Sequence, residues 1–155
     1  MIQPFYEKAG PLDILEPTKA KRMTFEPSLK LFTEWTLIKD GCSWIKGQVN
    51  AKGQPHGICR KIHKNGDEIY EGQWCNGKLS GYGRKIGNIA YYIGDWKDGK
   101  RHGQGTIVYS DGTTYVGAFK DDMFHGPGKL TKADGTVYEG EWVQDHFNGV
   151  DWSKL

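Results

Sequence analysis

The sequence predicts an all-β protein of tandem β-hairpin repeats behind an extended N-terminal arm. Three observations predict it. The 155 residues hold 22 glycines, six tryptophans, eight tyrosines and six phenylalanines, more than an ordinary enzyme domain needs, and these types favour strands and turns over helices. An aromatic-x-Gly-x-aromatic pattern returns at Tyr70–Trp74, Tyr92–Trp96, Tyr115–Phe119 and Tyr138–Trp142, with its tyrosines 22, 23 and 23 residues apart. Turn-forming dipeptides punctuate the chain in step with it, which is the signature of a repeat architecture.

In chain order the first element is the arm, residues 1–40. Pro4, Pro11, Pro17 and Pro27 fall at intervals that forbid a long helix or a central strand. Phe5, Tyr6, Leu12, Ile14, Leu15 and Phe25 make the segment too apolar for a simple linker, so it is expected to dock on a partner or on its own sheet. Trp35-Thr36-Leu37-Ile38 reads as a short strand capping the edge of the repeats.

Residues 41–151 are the repeat region. A weak first copy places Ile45-Lys46-Gly47-Gln48-Val49 where later copies have the aromatic strand, with His56-Gly57-Ile58-Cys59 as its second element. Terminal repeats are often atypical because one face lacks a matching neighbour. The later second elements are Ser80-Gly81-Tyr82-Gly83, His102-Gly103-Gln104-Gly105, His125-Gly126-Pro127-Gly128 and a degraded Asn148-Gly149-Val150-Asp151. Tyr, Gly and Trp at i, i+2 and i+4 point to one side of a strand, while Gln73, Asp95 and Glu141 point to the other.

Asn76-Gly77 and Asp98-Gly99 close hairpins, and Asn65-Gly66, Asp111-Gly112 and Asp134-Gly135 join one unit to the next. Asp122 and Asp145 stand where glycine would close the last two hairpins, so those turns are expected to be looser or of another type. Glycine between two large aromatics implies close approach of a neighbour. Tyr70, Trp74, Tyr92, Trp96, Tyr115, Phe119, Tyr138 and Trp142 are therefore expected to pack over the glycines as core, each burying roughly 150–250 Å², with their rims left as a protein-binding groove.

Residues 152–155 form a tail. The sheet ends at Trp152 without a capping helix, and an open edge is a template for a partner strand or a second copy of the chain. Ser153-Lys154-Leu155 matches the peroxisomal address S-K-L.

Tyr-x-Gly-x-Trp followed by His-Gly-x-Gly, as in residues 92–105, resembles the MORN repeat, and the likeness covers about residues 41–151. The resemblance implies an elongated, twisted antiparallel sheet of stacked hairpins, of the kind found in cytoskeletal, axonemal, junctional and membrane-contact proteins. It also implies a non-catalytic scaffold with protein partners in a larger assembly, in the cytoplasm and associated with the cytoskeleton or a cilium.

A net charge of +2 argues against a nucleic-acid binder. Its distribution is polar: residues 41–101 hold eleven Lys/Arg against five Asp/Glu, and residues 102–155 hold four against eight. Lys61, Lys64, Lys78, Arg84, Lys85, Lys97, Lys100 and Arg101 form the alternative site, a patch for anionic phospholipid or an acidic partner. Cys42, Cys59 and Cys75 lack paired spacing, which argues for a reducing compartment. Cys42, His56, Cys59, His63 and Cys75 lack the tight ligand pairs of a zinc motif. His56, His102 and His125 share a repeat position with Ser80 and Asn148, which fits a turn rather than a general base. No enzyme, metal or cofactor is expected, and no apolar run reaches the length of a membrane span.

Overall fold

The computed structural model describes residues 30–37 and 41–155. The arm residues Phe5, Tyr6, Leu12, Ile14, Leu15 and Phe25 lie outside the described residues. Among those described, twelve antiparallel strands form one open sheet in chain order. They are β1 (Lys30–Leu37), β2 (Ser43–Val49), β3 (Pro55–His63), β4 (Ile69–Cys75), β5 (Lys78–Ile86), β6 (Ala90–Lys97), β7 (Lys100–Tyr109), β8 (Thr114–Lys120), β9 (Met123–Thr131), β10 (Val137–Val143), β11 (His146–Phe147) and β12 (Val150–Asp151). A 3-10 turn at Trp152–Lys154 follows. β1 begins at Lys30, earlier than Trp35, because Lys30–Phe32 pair with Val49–Gly47 across a register shift that a regular alternation does not display.

The repeat glycines align into one stripe across the sheet. Gly72 faces Gly83, Gly83 faces Gly94, Gly94 faces Gly105, and the pairing continues through Gly117 and Gly128 to Gly140. Side chains at these points have no room: a Cβ on Gly117 would strike the Gly128 backbone, and one on Gly128 would strike the Tyr115 ring. The aromatics therefore do pack over the glycines. Trp74, Tyr92, Trp96, Tyr115, Phe119 and Trp142 are buried, with Tyr70 and Tyr138 half-buried beside them.

The second repeat element is a wide bulge rather than a plain strand. Between Gly94 and Trp96 only Asp95 stands on β6, whereas His102, Gly103 and Gln104 stand opposite on β7. The same one-against-three arrangement recurs at Gln48, Gln73 and Ala118. Bulged backbone leaves N–H groups outside the ladder, and the facing side chain meets them. Gln48 Oε1 accepts from Ile58 N at 3.0 Å and Asp95 Oδ2 from Gln104 N at 3.0 Å. Where the bulge carries Pro127, which has no N–H, the facing residue is Ala118, which has no acceptor.

The hairpin turns correct one expectation. Asp121-Asp122 and Gln144-Asp145 have positive φ at both residues, as do Asn76-Gly77 and Asp98-Gly99, so all four are type I′ turns. The aspartates offset the lost glycine with a bond of their own: Arg101 N donates to Asp122 Oδ1 at 2.8 Å, and Phe124 N donates to Asp145 Oδ1 at 2.7 Å. Each turn also ties back to the previous unit, through Gly77 N to Pro55 O, Gly99 N to Leu79 O, Asp122 N to Arg101 O and Asp145 N to Phe124 O, at 2.8–3.0 Å.

At the far end the degraded element reverses direction at Asn148-Gly149, both at positive φ. The resulting β11 covers only Trp142 and Val143 of β10. The tail then folds back onto the aromatic face, where Trp152 and Leu155 pack against the core.

Candidate functional site

The aromatic face is built from rings locked by their polar tips. Tyr92 OH donates to Asp95 O at 2.8 Å and Tyr115 OH to Ala118 O at 2.9 Å, each three residues on, which lays the ring along its own strand over the glycines. Burial pushes both phenols above the usual tyrosine value. Trp74 Nε1 donates to Cys59 O at 2.8 Å and Trp142 Nε1 to Gly128 O at 3.1 Å. Trp96 Nε1 is buried and finds no acceptor among the described residues.

Edge-to-face contacts connect Tyr92 to Trp96 and to Phe119, each at 5.1 Å, and Tyr115 to Trp142 at 5.5 Å. Tyr115 stacks on Phe124 at 3.8 Å. These six rings are core, with rows of less buried side chains beside them.

Those rows open into a cavity of about 610 Å³ whose walls include Tyr70, Lys85, Ala90, Arg101, Tyr109 and Asp122. It sits at the β5–β6 link, the place where the spacing drops from 23 to 22 residues. On one side Glu68 accepts from Tyr70 OH at 2.7 Å and pairs with Lys85 at 3.1 Å. The Tyr70 bond is the main reason that the Glu68 carboxyl is held below its ordinary value. Burial pulls the Lys85 ammonium down, but Tyr70 and Glu68 together raise it above the usual lysine value. On the other side Arg101 pairs with Asp122 at 3.2 Å and lies 5.8 Å from the Tyr92 ring and 5.4 Å from that of Phe119. Beyond Arg101 the face is closed by the tail, with Trp152 stacked on Tyr109 at 4.9 Å and tilted against Phe124 at 5.7 Å.

The basic residues of the alternative patch do not share one environment. Lys64, Lys78, Lys97 and Lys100 are exposed, at or beside turns, and Lys61 lies on the aromatic face opposite Tyr70. Lys85 and Arg101 are paired at the cavity as described. Arg84 is buried on the second face of the sheet, where it and Arg60 flank Glu71 on neighbouring strands. Arg60 Nε donates to Glu71 Oε2 at 2.6 Å, and Glu71 has no exposed surface. Sequence reasoning missed this triad, because an Arg, a Glu and an Arg on three different strands carry no common spacing.

Two of the three repeated histidines serve the backbone, whereas His102 Nδ1 is buried without a hydrogen-bond partner among the described residues. His56 Nδ1 accepts from Asn76 N at 3.0 Å and His125 Nδ1 from Gln144 N at 3.3 Å, each holding the next hairpin turn. Among the described residues no three His, Cys, Asp or Glu side chains converge as metal ligands. Cys59 is buried in the glycine stripe, and desolvation pushes its thiol up to about 12, so it is inert as a nucleophile at neutral pH. Cys42 and Cys75 are exposed.

A family model described as MORN repeat matches residues 70–88, 92–114, 115–137 and 138–150, half of the chain. Alsin of Rattus norvegicus is 40% identical over 98 residues, and Alsin of Homo sapiens is 40% identical over 102 residues. Each alignment covers 56% of this chain and 6% of the relative, so the chain spans a small fraction of the curated relatives it matches.

Proposed function

Because this chain belongs to the MORN repeat family, we propose that it is a non-catalytic docking module holding a partner protein in a larger assembly. The observation that carries this reading is the open stretch of the aromatic face, where a cavity of about 610 Å³ lies between two ion pairs on a rigid sheet. Apolar floors ringed by a few fixed polar groups are what protein anchors fit. A non-catalytic role is supported by the histidines, since the Nδ1 atoms of His56 and His125 are engaged by backbone N–H groups. The assembly we have in view is cytoskeletal or ciliary. The peroxisomal alternative is the weaker setting, because the side chain of Leu155 packs against the core instead of projecting freely.

Chemical cross-linking of the tagged full chain in cells, followed by mass spectrometry, tests the proposal. Cross-links from Lys85 and Lys78 to one recurrent partner are expected, with a tagged chain imaged on the same structure. Cross-links confined to the turns, or none above background, overturn it.

A second reading, peripheral binding to anionic phospholipid, draws on Lys78, Lys97 and Lys100, which are exposed at consecutive hairpin turns. It ranks lower because Arg84, Lys85 and Arg101 already face carboxylates. Co-sedimentation with vesicles containing or lacking anionic lipid separates the two.

A further inference from the structure

The cavity beside Arg101 and the slot filled by Trp152 are two copies of one site. In the later copy Asp145 N donates to Phe124 O at 2.9 Å and Phe124 N donates back to Asp145 Oδ1 at 2.7 Å. In the earlier copy, 23 residues before, Asp122 N donates to Arg101 O at 3.0 Å and Arg101 N donates back to Asp122 Oδ1 at 2.8 Å. The links above them correspond as well, since Tyr109 N bonds to Thr113 O at 2.8 Å and Gly87 N to Ala90 O at 3.0 Å. The later copy is occupied: Trp152 N donates to Asp145 O at 2.9 Å and its ring lies on Tyr109. The earlier copy holds the cavity.

Three exchanges within the repeat distinguish the earlier copy. Tyr109 and Thr113 of the later link become Gly87 and Ala90, which withdraws side-chain bulk from the wall. Phe124 becomes Arg101, whose Nη2 takes the Asp122 carbonyl at 2.6 Å, the acceptor that in the later copy serves Trp152 N. A guanidinium therefore stands where the occupied slot presents a phenyl ring. That exchange favours an electron-rich ring as occupant, with tryptophan ahead of tyrosine and phenylalanine.

We propose that this cavity receives an aromatic side chain, tryptophan first, presented by an extended segment of a partner protein. The inference rests on the docking reading above and names the anchor that the partner must carry. The chain's own tail supplies the template, because Trp152 fills the corresponding slot of the later copy, stacked there on Tyr109, the residue whose place Gly87 takes in the earlier one.

The test titrates the full ¹⁵N-labelled chain with a synthetic peptide copying residues 150–155, and with versions carrying tyrosine, phenylalanine or alanine in place of the tryptophan. The tryptophan peptide is expected to give saturable shifts at Ala90, Arg101, Ile107 and Tyr109, and the alanine version to bind about tenfold more weakly or worse. Trp152→Ala should add a second equivalent, with new shifts at Phe124. Ala90→Trp should fill the cavity and abolish the first site without lowering the melting temperature. Equal binding of all four peptides, or shifts away from these residues, overturns the proposal without relying on any variant. A flat titration while cross-linking still recovers a partner at Lys85 sinks the slot alone; loss of both sinks the docking reading too.

Discussion

A single added methyl group is enough to test the glycine stripe. Gly128 lies beneath Tyr115, which has no exposed surface and is held between Phe124 at 3.8 Å and Trp142 at 5.5 Å. A Cβ there would overlap the Tyr115 ring, which has nowhere to go. Gly128→Ala is thus expected to cost about 1–3 kcal/mol, the usual range for overpacking a filled core. The denaturant midpoint should fall, and an unchanged midpoint would show that the stripe tolerates bulk. On the second face the sensitive residue is Glu71, whose charge answers two buried guanidiniums. Removing one member of a buried ionic cluster leaves uncompensated charge. Glu71→Gln keeps the shape, yet it should lower stability by roughly 3–5 kcal/mol in chemical denaturation. A loss under about 1 kcal/mol would mean that Arg60 and Arg84 do not depend on it.

At the scale of the hairpin, much was legible in the sequence and some was not. The phase of the repeat, the strand faces and the packing of rings over glycines follow from Tyr-x-Gly-x-Trp alone, since a period of two fixes the face. The bulge does not follow. Ser80-Gly81-Tyr82 looks like a continuation of the strand, and only pairing reveals that three residues face Gln73. The last two turns do not follow from the sequence because positive φ is linked to glycine, whereas an aspartate holds the turn here by bonding the preceding hairpin. The cavity was half legible: the 22-residue spacing was visible, but the return of Trp152 onto Tyr109 depends on a 3-10 turn that no repeat pattern encodes.

Asp145 gives this element a pH dependence. Burial is the main cause raising its carboxyl above the ordinary value of 3.8, although the Phe124 N–H opposes it. A raised acid binds its proton more tightly when folded, so ionising it costs stability as the pH rises through the raised value. Asparagine keeps the acceptor for Phe124 N and tolerates a φ of 65°. Asp145→Asn should therefore melt slightly above the parent at pH 7, by less than about 1 kcal/mol, with the difference vanishing near pH 3. A lower melting point at pH 7 would show that the charge itself holds the turn.

At the scale of the molecule, each strand among the described residues pairs only with its sequence neighbours, so stability is a sum of local and nearest-neighbour terms and the ends open first. The tail breaks this linear scheme. From the end of β12, Trp152 reaches back past four strands to stack on Tyr109 at the end of β7, while also touching Phe124 on β9. It fastens the weakest stretch, where β11 and β12 have two residues each and no buried side chain, to the middle of the sheet. Hydrogen exchange should then show the slowest amides around Gly94, Gly105 and Gly117, with intermediate protection in β9 and β10. In Trp152→Ala the protection of β9 to β12 should fall while β2 to β5 exchange as before, because the lost contact lies beyond them and the coupling decays from repeat to repeat. A uniform loss of protection along the sheet would instead mean that it unfolds as one cooperative unit, and that the tail contributes to global stability rather than closing one end.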